Sequence, residues 1–337
     1  MKLSILDQSP IISGHSAAQA IAETLKLARR ADELGYHRYW LAEHHAIAAL
    51  ADPCPEILLA RLGAETRRIR VGTGGVLLPY YSAFKVAEVF RMLEALYPGR
   101  IDLGIGRAPG GDQRTARAVG GGHFPDAEQF PQQVWELVGC LDGTLPEDHP
   151  FGKVRVQPEG RLAGRVAPEV WLLGSSDYSG LLAAQLGLRF SFAHFINAQG
   201  GDAVMRAYKE RYQTSGREPE PHTSVCCFVI CAESDADAER LARVVDVRRL
   251  DMAYNLDTPV PTQEQAEQRG FNAEERAHIQ SQRARLVHGS AETCKEKLLS
   301  VAEKFSADEL MVLTITGDYA TRLESYELLA RAFALAG

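Results

Sequence analysis

The stretch Tyr39-Trp40-Leu41-Ala42-Glu43-His44-His45 runs apolar and aromatic residues straight into a carboxylate and two imidazoles. A parallel strand covered on both faces is apolar along its length. In an α/β barrel such a strand keeps its chemistry at its C-terminal tip. The stretch therefore predicts a buried parallel strand over 39–45 that ends in a site.

Working outward, further strands are expected over 3–6, 69–78, 100–106, 170–174, 190–195, 224–232 and 309–316. Between them apolar residues recur at helical spacing. Ala20, Leu27, Ala28, Ala31 and Leu34 mark a helix over 17–34 that Gly35 stops. Pro55 opens a helix over 55–66, and Ser82 caps one that runs to Leu96. Later helices are expected over 126–141, from the Ser175–Ser179 stretch to Leu186, and over 202–213, 234–252, 290–304 and 319–335. Strand and helix alternating at ~30-residue spacing is the mark of βαβ units and a parallel sheet. Eight strands with helices between them fit a (β/α)8 barrel better than an open sheet. The reading is one domain over 1–337, with insertions after strand 4 and before strand 8. The excursions are a glycine-rich loop at 107–125, a turn-rich stretch at 142–167 and a polar stretch at 255–286. A segment as long as the last is usually a functional lid or disordered.

Composition sets the outer bounds. A chain of 337 residues can bury a large core, and 45% hydrophobic with 24% charged residues is ordinary for a globular protein. The net charge of −7 argues against nucleic acid as a partner, which wants a basic face. Cys54, Cys140, Cys226, Cys227, Cys231 and Cys294 show no CxxC and no metal spacing. Cys226, Cys227 and Cys231 read as core packing. Free thiols suggest a reducing compartment. The N-terminus turns polar too soon for a signal peptide, and no apolar run reaches the roughly 18 residues of a membrane span. A cytoplasmic protein without membrane partners is expected.

The strand tips offer one convergent polar set: Glu43, His44 and His45; Gly74 and Gly75; Arg107; Ser175 and Ser176; His194 and Asn197; Thr314 and Thr316. Adjacent residues on a strand point to opposite faces, so His44 and His45 do not chelate together easily, and no third ligand is visible. No metal site is expected. A histidine pair held by structural hydrogen bonds is one reading. The favoured one has one histidine transfer protons while Glu43 orients a neighbour. Gly174-Ser175-Ser176-Asp177-Tyr178-Ser179 reads either as a phosphate cradle at a helix start or as an ordinary serine N-cap. Arg107 would supply a permanent positive charge for the first reading, or a surface salt bridge. Gly74-Gly75 inside a strand marks close approach of a flat ligand or an unusual peptide bond. Gly72-Thr73-Gly74-Gly75 does not make a dinucleotide fingerprint.

Taken in order, several stretches resemble the bacterial luciferase-like flavin monooxygenases. They are Trp40–His45, Val71-Gly72-Thr73-Gly74-Gly75-Val76-Leu77-Leu78-Pro79, Gly99-Arg100-Ile101-Asp102-Leu103-Gly104-Ile105-Gly106-Arg107, Pro168-Glu169-Val170-Trp171-Leu172-Leu173-Gly174-Ser175-Ser176 and Ile196-Asn197. The resemblance covers nearly the whole chain. It implies a TIM barrel that takes reduced FMN as cosubstrate and uses O2 to oxygenate a small organic substrate. Reduced flavin would come from a separate NAD(P)H:flavin reductase or be made in place, and a homodimer is the family habit. His44 matches the catalytic histidine, with Glu43 near the flavin. Gly74-Gly75 matches a pair joined by a cis bond behind the ring. Arg107, Ser176 and Ser179 match phosphate contacts. The candidate cofactor-binding set is Gly74, Gly75, Arg107, Ser175, Ser176, Tyr178, Ser179 and His194. Three positions depart from luciferases: Gly106 replaces a reactive cysteine, His194 a flavin-contacting tryptophan and Ser175 a glutamate. They argue against light emission and leave the substrate open. The alternatives are an F420-dependent hydride-transfer enzyme and a flavin-binding barrel without turnover.

Overall fold

Alternation along the strands sorts the apolar side chains into two layers. On β1 (Lys2–Asp7), Leu3 and Ile5 face outward while Leu6 faces inward. On β2 (Arg38–Leu41), Tyr39 and Leu41 face outward and Trp40 inward. The outer layer packs on helices and the inner layer fills the centre, as a closed parallel barrel requires. The computed structural model describes residues 1–107, 112–159 and 168–336.

The ring continues through β3 (Arg70–Leu77), β4 (Ile101–Gly106), β5 (Glu169–Gly174), β6 (Arg189–Ala193) and β7 (Thr223–Ala232). The last barrel strand, β9 (Glu309–Leu313), pairs in parallel with both β7 and β1, and β6 with β7, which closes the circle. An additional strand, β8 (Leu286–Ser290), pairs only with residues 228–232 of β7. Sequence periodicity did not give β8, because it is five residues long with little apolar pattern. It forms because the ten-residue β7 outruns its neighbours and leaves an edge to cover.

The helices begin and end on recognisable signals. Ser16 makes a capping box with Gln19 at the start of α1 (Ala17–Leu34), and Gly35 closes it at φ +84°. Pro55 opens α2 (Pro55–Glu65) and the Ser82 hydroxyl accepts from Lys85 N–H ahead of α3 (Ala83–Leu96). In the 107–125 excursion lies α4 (Gln113–Val119), while residues 108–111 fall outside the described set. The helix expected over 126–141 is α5 (Phe130–Asp142), and residues 160–167 of the second excursion are likewise outside the described set. The later half brings α6 (Asp177–Leu186), α7 (Gly201–Glu210) and α8 (Asp235–Ala253).

The polar stretch at 255–286 is built rather than loose. It holds α9 (Gln263–Gln268) and α10 (Ala273–Gln282), each opened by a capping box, Thr262 with Gln265 and Asn272 with Glu275. Val260 is tied by backbone bonds to Ile11 and Ser13 after β1. Caps and polar contacts hold these helices, so apolar periodicity could not reveal them. The chain ends with α11 (Ala291–Phe305) and α12 (Tyr319–Ala332). Among the described residues no helix is long and apolar enough to cross a membrane.

A charged plug fills the N-terminal mouth of the barrel. Arg38 reaches Asp102 at 2.7 Å, Glu309 at 2.8 Å and Glu169 at 3.1 Å, with its side chain 2% exposed. Trp40 Nε1 donates to Asp102 at 2.9 Å. Burial would raise the Asp102 carboxyl, but the Arg38 and Arg70 guanidiniums hold it down to about 2. All of this lies at the opposite end of the strands from the tips that carry the candidate site.

Candidate active site

β2 ends at Leu41, not at His45. Ala42 N–H still donates to the Asp7 carbonyl, and then the chain leaves the sheet. The cause is the Glu43 carboxylate, which is 3% exposed and must be satisfied locally. It accepts from Leu77 N–H at 2.9 Å, the Tyr81 hydroxyl at 2.6 Å and His45 Nε2 at 2.7 Å. Glu43 thus binds the loop to the end of β3. His44, between the two, lines the central cavity, while His45 is the partner of Glu43. Burial pushes the His44 imidazole down to about 4, the backbone hydrogen bond of Ala42 opposing. Its Nδ1 has no hydrogen-bond partner among the described residues. Among those residues no group of three or more His, Cys, Asp or Glu is placed to hold a metal.

The cavity at the strand tips has a volume of about 260 Å³. Gly74 and Gly75 line it, and the peptide between them is cis. Close packing against backbone requires glycine at 75, while at 74 the nearest atom is the tip of a leucine side chain. A Cβ on Gly75 would lie 2.6 Å from the Gly104 carbonyl oxygen, and one on Gly74 2.5 Å from Leu6 Cδ1. Leu6, Trp40, Leu173 and Met311 supply apolar wall.

The other end of this cavity is polar. Arg107, Ser175, Ser176 and Ser179 line it together. The Arg107 guanidinium lies over the Tyr178 ring at 4.1 Å, which holds it at the rim, and it makes no ion pair among the described residues. Ser176 stands at the N-cap position of α6, yet its side chain makes no capping bond. Its hydroxyl is not spent on capping the helix, whose first N–H groups have no partner within the helix. Asp177 is exposed and not part of the cavity wall.

His194 does not join the others. It is buried 5.7 Å from the Phe305 ring of α11 and is absent from the cavity wall, although Ala193 and Phe195 on either side line it. Burial, then the charge of Lys304, pushes its imidazole down. Ser191, Ala193 and Phe195 line the cavity while Phe190 and Phe192 pack in the outer layer, so alternation carried past the end of β6 at Ala193 puts His194 on the outer side, where it meets Phe305 as Phe192 does. Sequence reading also missed Gln8, Ser191, Cys226 and Met311, all of which line the cavity. Gln8 directly follows β1 and could have been found as another strand tip. Cys226 and Met311 follow from inward alternation on β7 and β9, so Cys226 is cavity wall as well as core.

A second chamber of about 740 Å³ adjoins the first, sharing Gln8, His44, Phe195 and Ile196. Its far side is formed by α8 and the residues after it, including Arg248, Arg249, Met252 and Leu256. The arrangement is a polar, anion-suited end, an apolar slot over the Gly74–Gly75 peptide, an uncharged imidazole and a roomy antechamber. Flat, phosphate-bearing ligands with a second reactant beside them suit that order of parts.

Comparison with known proteins agrees with this geometry. The family description Luciferase-like monooxygenase matches residues 1–309. N-acetyl-S-alkylcysteine monooxygenase of Bacillus subtilis (strain 168) is 35% identical over 335 residues, covering 98% of each chain. The crystal structure of apo-MsnO8 superposes with a TM-score of 0.90 at 38% identity, covering 99% of each chain. Two more distant structures share the fold alone. One is the oxygenating constituent of 3,6-diketocamphane monooxygenase of Pseudomonas putida in complex with FMN (TM-score 0.71, 19% identity, covering 98% of this chain and 97% of that one). The other is an F420-dependent secondary alcohol dehydrogenase (TM-score 0.68, 13% identity, covering 100% and 99%). With the barrel, the cis Gly74–Gly75 peptide and the rim residues in place, the chain belongs to the luciferase-like monooxygenase family of oxidoreductases.

Proposed function

We propose that this protein uses reduced FMN and O2 to oxygenate a small organic substrate, with FMN in the smaller cavity and the substrate in the adjoining chamber. The observation that carries the reading is the junction in one cavity of Arg107, the uncapped Ser176 at the start of α6, and the cis Gly74–Gly75 slot. Arg107, Ser175, Ser176 and Ser179 would hold the phosphate, with Tyr178 fixing the Arg107 plane. Leu6, Trp40, Leu173 and the two glycines would flank the ring. The distant relative in complex with FMN supports the choice of flavin.

When bound in reduced form, FMN supplies the two electrons with which one atom of O2 enters the substrate and the other leaves as water. The chain's own task is positioning and proton handling. His44 is uncharged at neutral pH, so it can accept a proton or hold a hydrogen bond without placing a cation in the slot. Glu43 fixes the loop that carries it. The apolar walls of the slot, Leu6, Trp40, Leu173 and Met311, limit the access of water to it. A homodimer, a cytoplasmic location and reduced FMN delivered by a separate NAD(P)H:flavin reductase or made in place complete the proposal. All six cysteines are free, in keeping with a reducing compartment.

Anaerobic titration with reduced FMN, then mixing with O2 and a thioether substrate, tests the reading. Saturable FMN binding and ¹⁸O entering the substrate from ¹⁸O2 are expected. Binding of F420 in preference to FMN, with no O2 consumed, would favour the hydride-transfer alternative.

A further inference from the structure

Three arginines, Arg248, Arg249 and Arg285, and three aspartates, Asp112, Asp251 and Asp257, line the chamber beside the slot, and none of these aspartates forms an ion pair with these arginines. Val245, Arg248, Arg249 and Met252 occur at i, i+3, i+4 and i+7 of α8, so one helix face, arginines included, is turned into the chamber. A helix usually sends such residues to solvent. Arg249 donates to the Gln282 carbonyl at 2.7 Å, and Arg285 to the Ile196 carbonyl at 2.7 Å. Arg248 makes no hydrogen bond or ion pair among the described residues, and its Nη1 is buried and unsatisfied. The acidic groups of the chamber are engaged elsewhere. Asp251 accepts from the Thr258 hydroxyl, Asp257 from Ala48 N–H and Asp112 from Thr115 N–H. Residues 108–111 and 160–167 contain no Asp or Glu.

Arg248 as a whole is half-buried, and a guanidinium with a buried nitrogen left unpaired is costly. We infer that the partner of Arg248 is the substrate: the chamber takes an organic substrate bearing a carboxylate, which Arg248 pairs while the remainder of the molecule reaches toward His44. Three observations agree. His44 lines both cavities, so a substrate anchored at Arg248 has its other end at the slot. Burial, with no opposing carboxylate, pushes the Arg248 guanidinium down to about 10, and a bound anion would restore it. The relative that is 35% identical acts, by its name, on N-acetyl-S-alkylcysteines, which carry a free carboxylate beside an oxidisable sulfur. This inference rests on the proposed function for its location and adds the substrate's charge.

Calorimetric titration of the full-length protein, with and without oxidised FMN, tests it. The probes are N-acetyl-S-benzylcysteine and its methyl ester, which differ in the carboxylate charge and one methyl group. The acid is expected to bind at least about tenfold more tightly than the ester, in line with a charge-assisted pair. Arg248→Met should erase that preference, and Arg248→Lys should keep part of it. Arg248→Met should also leave the melting temperature unchanged or raise it, since it removes an unpaired, partly buried charge; a structural arginine would do the reverse. Equal binding of acid and ester, binding of neither, or a preference that survives Arg248→Met would overturn the inference. So would a loss of FMN affinity in Arg248→Met as large as the loss for the acid, because Arg248 would then serve the cofactor. A native protein that fails to bind FMN would count against the cofactor reading, and the acid–ester comparison without FMN would still stand.

Discussion

The Glu43 carboxylate holds His45, Oε1 to Nε2 at 2.7 Å, and leaves the intervening His44 facing the cavities. Two neighbouring imidazoles therefore have separate tasks. One is part of the anchor that ends β2 and ties it to β3, and the other is presented to whatever occupies the slot.

Glu43→Gln keeps the shape of that anchor and removes its charge. One oxygen that now accepts becomes a donor facing Leu77 N–H, the Tyr81 hydroxyl or His45. A loss of about 1–3 kcal/mol is expected from the unsatisfied group, read from urea midpoints. Turnover should fall as well although His44 is untouched, because the loop that aims it is loosened.

His44→Ala should reduce kcat by about a hundredfold or more, the usual worth of a positioned acid–base group, while FMN affinity is retained. Stopped-flow binding and steady-state turnover separate the two. Full turnover in this variant would remove His44 from proton handling.

The same residue sets a pH dependence of stability. Its pKa is about 4 when folded against 6.5 as the unperturbed value. Between those values the unfolded chain takes a proton that the folded one refuses, so stability falls as pH is lowered from about 6.5 to about 4. Discounted for the part of the ring reached by solvent, the effect is about 1–2 kcal/mol. His44→Gln should flatten the profile of melting temperature in that window and leave it unchanged above pH 7.

Arg107→Ala should weaken FMN binding by about ten- to a hundredfold and riboflavin binding little, since riboflavin lacks the phosphate. Fluorescence titration with the two flavins gives the ratio. Equal losses would place Arg107 against the ring rather than the phosphate end. Tyr178→Ala should reproduce part of the FMN effect by freeing the guanidinium.

Arg38→Met tests the plug at the opposite mouth. It leaves the almost fully buried Glu309 without a guanidinium and the fully buried Asp102 with Arg70 as its one remaining guanidinium partner. A loss of about 3–5 kcal/mol is expected, with FMN affinity per folded molecule unchanged. The contrast with Arg248→Met is direct: among the described residues Arg38 pairs with three carboxylates and Arg248 with none.

Much of this architecture could be read from residue order. Repeated apolar runs, the serine caps at 82 and 290 and the glycine stop at 35 gave the strand–helix alternation, because those signals act within a few residues of themselves. Arg107 and the Ser175–Ser179 stretch were legible as strand-tip residues, as was the oddity of Gly74-Gly75. The helices of 255–286 were not, since caps and polar contacts stabilise them, and β8 exists only because β7 projects beyond its neighbours.

By itself the sequence determined the barrel, its hydrophobic alternation and the end at which the chemistry gathers, because each follows from local periodicity. Only the tertiary structure decided which way the tip residues turn. It gave Glu43 to His45, and turned Arg248 into a chamber where no carboxylate pairs with it. Those outcomes depend on where donors and acceptors from distant segments meet, and one buried carboxylate is enough to redirect a side chain.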